Sequence, residues 1–118
     1  MFWKRNKKQS YTVLMDMDLD TLVSAESELG PVVFAFTDHS LVLACSQVVA
    51  KNRGHRIAGV AYEAKSREDF VRKLPLAPGE ASVLFSGDPG VDNFVMALLR
   101  GDTEFSLPAS TWKGRLIP

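Results

Sequence analysis

Residues 31–54, PVVFAFTDHSLVLACSQVVAKNRG, contain the pattern that decides the fold. The first six residues are continuously apolar, which is typical of a strand covered on both faces of a sheet. The polar residues 37–40 can cap a helix, and Gly54 can end it. Between them, apolar side chains recur at the spacing of one helical face: Leu41, Ala44, Cys45, Val48 and Val49. The stretch predicts a strand followed by a helix, although a hairpin through residues 37–40 is the alternative, since Leu41 to Leu43 also fit a strand.

The same alternation of strand and helix continues along the chain. We predict strands at residues 11–15, 31–36, 57–62, 81–85 and 103–107. A helix is predicted between the first two strands, at residues 19–29, because Leu19, Leu22, Val23 and Leu29 fall near one face and Gly30 follows. Ser66 and the pair Asp88-Pro89 are start signals for two later helices. Strands that alternate with helices pair in parallel. The predicted fold is therefore α/β: a three-layer α/β/α sandwich with a five-stranded parallel sheet in the flavodoxin-like order.

Length and composition limit the classes of protein to consider. The 118 residues fit one domain, which we place at residues 10–118 behind a basic tail at 1–9. Fourteen Lys and Arg balance fourteen Asp and Glu, which argues against direct binding to nucleic acid. Apolar runs stay below the roughly 18 residues of a membrane span. A single cysteine, Cys45, excludes an internal disulfide and favours a cytoplasmic location.

Several acids and one serine follow predicted strands. They are Asp16, Asp18, Asp38, Glu63, Ser86 and Asp88. In parallel sheets the carboxyl ends of the strands meet at one edge, where ligands bind. Carboxylates gathered there could hold Mg²⁺, although each of these acids is also a natural helix cap. One hypothesis is therefore a small metal-dependent enzyme or ligand-binding domain that uses Asp16, Asp18, Glu63 and Ser86.

Residues 10–108 also contain a series of local patterns. Strand one ends in Asp16-Met17-Asp18, Ser86 closes strand four, and residues 97–102, ALLRGD, end the next helix before Phe105 and Leu107-Pro108. In order and spacing these resemble the receiver domain of bacterial response regulators. The resemblance implies the five-unit (βα) fold with a shortened last helix, and a role in signalling.

The chain departs from the receiver pattern at the residues that carry phosphotransfer. The position of the phosphate-accepting aspartate is Ala61, with Glu63 two residues on, and Leu107 replaces the lysine that would pair with the phosphate. Met17 also separates the two acids of strand one. The resemblance therefore implies a degenerate site at Asp16, Asp18, Ala61, Glu63, Ser86 and Leu107. It predicts a non-catalytic domain without a cofactor that works by protein–protein interaction.

The C-terminal segment indicates where such a partner would bind. Receivers continue into a full fifth helix, but residues 109–118 leave room for about two turns. We expect this shortened helix to leave Phe105, Trp112, Leu116 and Ile117 partly uncovered. Uncovered apolar side chains mark interfaces, and tryptophan is a frequent anchor. These four residues are the predicted contacts with a protein partner or with a second copy of the chain.

Overall fold

Residues 8–77, 79–107 and 113–116, the part that the computed structural model describes, form eight strands and three helices. The strands are β1 (Gln9–Asp16), β2 (Thr21–Leu22), β3 (Ala25–Ser27), β4 (Gly30–Ala35), β5 (Ile57–Ala64), β6 (Ser82–Phe85), β7 (Glu104–Ser106) and β8 (Lys113–Leu116). The helices are α1 (His39–Arg53), α2 (Arg67–Lys73) and α3 (Pro89–Arg100). In this part of the chain no helix is long and apolar enough to cross a bilayer.

The helix boundaries follow the capping residues in the sequence. Asp38 accepts a hydrogen bond from the Ser40 amide at the start of α1, and Gly54 ends that helix at φ +70°. Ser66 accepts from the Asp69 amide at the start of α2. Asp88 stands at the N-cap of α3 but accepts from the Phe85 amide behind it instead of capping. The prediction of a helix in 31–54 is confirmed, and the hairpin alternative is wrong.

The apolar strand β4 is buried on both faces, as its composition predicts. Val32 and Phe34 face α1 and α3, where the Phe34 ring stacks on Phe94 with centroids 3.9 Å apart. Val33 and Ala35 face the opposite side, in a second core built around Phe70 of α2. The chain therefore has two apolar layers, one on each side of β4.

The predicted five-stranded parallel sheet is wrong. Strands β2-β1-β5 form one sheet and β6-β4-β3-β8-β7 form another, and among the described pairs only β4 and β6 run parallel. Hydrogen bonds between Thr12 and Phe36 join the two sheets and show that β1 runs antiparallel to β4. The flavodoxin-like and receiver-like (βα)5 arrangement is thereby excluded.

The sheet is not parallel throughout because residues 19–29 form short strands and turns instead of the predicted helix. Without a helical crossover after β1, the chain reverses through β2 and returns through the β3–β4 hairpin, so β1 points opposite to β4. Leu19 and Leu29, counted as part of a helical stripe, are exposed. The expected short helix in 109–118 is also corrected, because residues 113–116 are strand β8.

Candidate functional site

The structure does not gather the six receiver-like positions at one end of a sheet. Asp16 ends β1, and Asp18 lies in the turn that follows. In antiparallel β5, Glu63 pairs with Ser10 and Ala61 with Thr12, near the start of β1. Six residues of strand, about 20 Å, separate Ser10 from Asp16. A site shared by Asp16, Asp18 and Glu63 is therefore geometrically excluded.

Ser86 and Leu107 lie elsewhere again. The Ser86 hydroxyl accepts from the Thr37 amide at 2.9 Å and lies 3.3 Å from the carbonyl oxygen of Ala35. It thereby ties the end of β6 to the end of β4. Leu107 is buried in the core beneath α1 and α3. In the described ranges no group of three or more His, Cys, Asp or Glu is placed to hold a metal ion.

Asp16 is instead the centre of a buried polar cluster. Its side chain is fully buried and accepts from the amides of Asp18 and Leu19 at Oδ1, at 3.1 and 3.0 Å. At Oδ2 it is bound by Arg53 Nη1 at 3.0 Å and contacted by His55 Nδ1 at 2.8 Å. An ionised carboxylate only accepts, so His55 Nδ1 carries the hydrogen of that bond. We call Asp16, Arg53 and His55 the Asp16 cluster.

The electrostatics of the Asp16 cluster keep its carboxyl ionised. Burial raises the pKa of Asp16, but hydrogen bonds from His55, the Leu19 amide and Arg53 together outweigh burial and lower it from 3.8 to about 2. Both carboxylate oxygens are engaged by donors within the chain, so the group is held in place and is a poor proton carrier. The cluster joins the end of β1 to the end of α1 and the start of β5.

A second pair of groups supports the same turn from outside. Arg56 donates to Asp18 through Nε at 2.8 Å and through its backbone amide at 3.0 Å. Both bonds lower the pKa of Asp18, and the bond from the Arg56 backbone amide contributes most. The Arg56 side chain is largely exposed, so its ion pair adds little to stability.

Sequence reasoning missed the partners of Asp16. The sequence alone assigns neither Arg53 nor His55 to a site. They lie 37 and 39 residues from Asp16 along the chain. No local spacing signals such a contact, because it depends on β1 and β5 being antiparallel neighbours.

A cavity of about 380 Å³ lies beside the Asp16 cluster, with Arg53 in its wall. This volume is within the range of small-molecule sites, about 300–1,000 Å³. Asp20, Thr21, Ser24 and Glu80 contribute polar groups. Its apolar lining includes Leu22, Pro31, Val33, Pro75, Leu76 and Ala81.

The outer edge of β5 is the other exposed feature. Thr12 directs both its N–H and its C=O to Phe36, so its neighbour Ala61 is a non-hydrogen-bonded partner in the β1–β5 ladder. By the alternation of an antiparallel pair, Ile57, Gly59 and Ala61 direct their N–H and C=O groups away from β1. Within the described residues these groups have no hydrogen-bond partner. We call Ile57–Ala61 the β5 edge.

One end of this edge is closed. Lys73 Nζ donates to the Glu63 carbonyl at 2.6 Å, from α2. At the other end, the Arg56 carbonyl is turned toward β1, where it accepts from the Met17 amide. In the described part of the chain, the residues of β5 whose outward N–H and C=O groups are both open are therefore Ile57, Gly59 and Ala61.

The predicted partner contacts are only partly within the described residues. Phe105 is half-buried and lies edge-on to Phe34 and Phe94, and Leu116 packs against the same core. Trp112 and Ile117 lie outside the described residues. The partner-binding role of Phe105, Trp112, Leu116 and Ile117 stays a prediction.

Comparison of the chain with protein-family models, curated proteins and solved structures finds no match.

Proposed function

We propose that this domain is a non-catalytic protein-interaction module that accepts a strand from a partner along the β5 edge. The single observation that carries the proposal is the row of outward N–H and C=O groups at Ile57, Gly59 and Ala61. Such a row is a template for strand addition, in which main-chain hydrogen bonds supply the affinity.

The composition of the β5 edge supports this role. Natural proteins protect edges with charges, prolines or bulges. Residues 57–61, IAGVA, contain no charge and no proline, and they pair with β1 without interruption. Protection starts only at Glu63, where Lys73 covers the carbonyl. An edge left open over this length is suited to an extended partner segment.

The side chains beside the edge indicate the chemistry of the partner. Ala58 and Val60 are half-buried on the side of the sheet that carries Tyr62. On the opposite side, Gly59 lies beneath Val42 of α1. A partner strand therefore meets small apolar neighbours and no fixed charge, which favours an extended segment with small or β-branched apolar residues.

A peptide selection tests the proposed function. Short peptides are selected for binding from a randomised display library, and the ¹⁵N-labelled protein is titrated with the best binder. We expect shifts at the amides of Ile57, Gly59 and Ala61, and weaker binding to the variant Ala61→Pro, which removes one outward N–H. Selected peptides that shift other surfaces and bind Ala61→Pro unchanged would contradict the proposal.

The cavity favours a second candidate function, binding of a small molecule beside Arg53. Its apolar lining suits an aromatic or aliphatic body, so indole is a suitable probe. At millimolar indole we expect amide shifts at Leu22, Val33 and Leu76. A spectrum without shifts at these residues contradicts this candidate and leaves the β5 edge unaffected.

A further inference from the structure

We infer that the strand accepted by the β5 edge is β5 of a second copy of this chain, in an antiparallel, two-fold symmetric pair with Gly59 opposite Gly59. This inference rests on the proposed function and names its partner. It is carried by the symmetry of the open groups and by the closed end of the edge, and no like charges oppose the pairing.

The open groups are arranged symmetrically about Gly59. Ile57 and Ala61 each lie two residues from it, and both direct N–H and C=O outward, as Gly59 does. Antiparallel pairing with a second copy therefore places Gly59 of one copy opposite Gly59 of the other, and Ile57 of each copy opposite Ala61 of the other. Each of these pairs can exchange both N–H···O bonds. The edge is thus its own complement, which is the requirement for an isologous interface.

The charges of the two strands do not oppose this arrangement. With Gly59 on the two-fold axis, Arg56 falls opposite Tyr62, and His55 falls opposite Glu63. No like charges stand directly opposite each other between residues 55 and 63, so no cross-strand repulsion opposes the pair. The chain as a whole carries no net charge at pH 7, so two copies do not repel each other at long range.

The closed end of the edge selects this register among its neighbours. A shift that places Val60 opposite Val60 would pair Ile57 with Glu63, whose carbonyl already accepts from Lys73. The opposite shift places Ala58 opposite Ala58, and Ala61 then falls opposite His55, which precedes β5. Only the register centred on Gly59 uses all the open groups and none of the occupied ones.

Pairing would join the two three-stranded sheets into one, in the order β2-β1-β5-β5-β1-β2. A contact made by one strand from each copy is smaller than a standard stable interface of about 1,600 Å². We therefore expect a reversible dimer whose population depends on protein concentration.

Disulfide trapping tests the register directly. In the inferred pair, Ala58 of one copy and Val60 of the other form a non-hydrogen-bonded pair, whose Cα atoms lie about 4.5 Å apart, within disulfide reach. We expect a mixture of Ala58→Cys and Val60→Cys proteins to form a covalent heterodimer on mild oxidation. Each variant alone should remain unlinked. The native Cys45 does not interfere, because it is fully buried and burial raises its thiol pKa to about 11.

The outcomes separate this inference from the proposed function. Linking of Val60→Cys alone, or of Ala58→Cys alone, overturns the register, because those pairs belong to the shifted arrangements. A chain that stays monomeric in sedimentation at high concentration, but whose edge binds selected peptides, overturns self-pairing and leaves strand addition standing. A monomeric chain whose edge binds no peptide overturns both.

A proline comparison gives an independent measurement. Ala61→Pro removes an outward N–H without touching the β1–β5 ladder, so at a concentration where the native chain is mostly monomeric the dimer fraction in sedimentation should fall at least about tenfold. Glu104→Pro is the matched control. It places proline on β7, the outer strand of the other sheet, at a position that also faces away from its neighbour β8. Equal dimer fractions for the two folded variants overturn the inference, and circular dichroism verifies that both are folded.

Discussion

Asp16 shows how a residue that stabilises the fold can be mistaken for a ligand-binding residue. Its place at the end of a strand suggested a ligand for Mg²⁺, but its carboxylate is fully engaged by Arg53, His55 and two amides. Local signals predicted both ends of α1 and the start of α2, where the partner is a few residues away, although Asp88 makes no capping bond to α3. The caps at Asp38 and Ser66 and the stop at Gly54 were all predicted from neighbouring residues.

The Asp16 cluster makes stability depend on acid pH. The pKa of Asp16 is depressed in the folded chain, so its contribution is present above pH 3.8 and is lost as pH falls toward about 2. We expect Asp16→Asn to lower the melting temperature at pH 7 by about 10 °C or more, because the buried carboxylate that contacts the Arg53 guanidinium becomes a neutral amide. Near pH 2 the difference from the native chain should shrink. Thermal unfolding at both pH values measures this, and a pH-independent difference would contradict it.

Gly59 is required by the close approach of α1 to β5. A Cβ there would lie 2.6 Å from a methyl carbon of Val42 and 3.1 Å from one of Thr12. We expect Gly59→Ala to cost about 1–3 kcal/mol in urea unfolding. Val42→Ala removes the clashing group, so adding Gly59→Ala to that variant should cost less than Gly59→Ala costs alone. Additive effects of the two substitutions would show that the contact is absent.

At the level of elements, the sequence identified most strands and helices but assigned residues 19–29 to a helix. Leu19, Leu22, Val23 and Leu29 match a helical face as well as they match short strands. Of these four, only Leu22 and Val23 are covered, while Leu19 and Leu29 lie in exposed turns. Periodicity over so short a stretch does not distinguish the two structures, and the sheet that receives β3 is assembled from distant strands.

This difference can be measured by substitution. Val23→Ala should cost about 1–3 kcal/mol, since Val23 is 5% exposed and lies in the core beneath α1. Leu29→Ser should change stability by no more than about 0.5 kcal/mol, since Leu29 is 65% exposed. Urea unfolding gives both values. Comparable losses of stability for the two variants would contradict the strands and would indicate that Val23 and Leu29 lie on one buried helical face.

At the level of the whole molecule, the reversal of the chain after β1 decides where a functional site can lie. An α/β fold of alternating elements was correctly expected for β4, α1, β5, α2, β6 and α3. The direction of β1 was not predicted correctly, because it depends on whether residues 17–29 cross over as a helix or turn back. Turning back sends Asp16 away from Glu63 and places β5 at the outside of its sheet. The candidate for function thereby changes from an acidic crevice to an open strand edge.

Amide hydrogen exchange along β5, measured at low and high protein concentration, tests the central claim most directly. In dilute solution we expect alternation: fast exchange at Gly59 and Ala61, whose N–H groups face outward, and slow exchange at Val60 and Tyr62, which bond to β1. At high concentration, exchange at Gly59 and Ala61 should slow as a second copy covers them. Slow exchange at all four residues in dilute solution, or fast exchange at Gly59 and Ala61 at every concentration, would contradict the account.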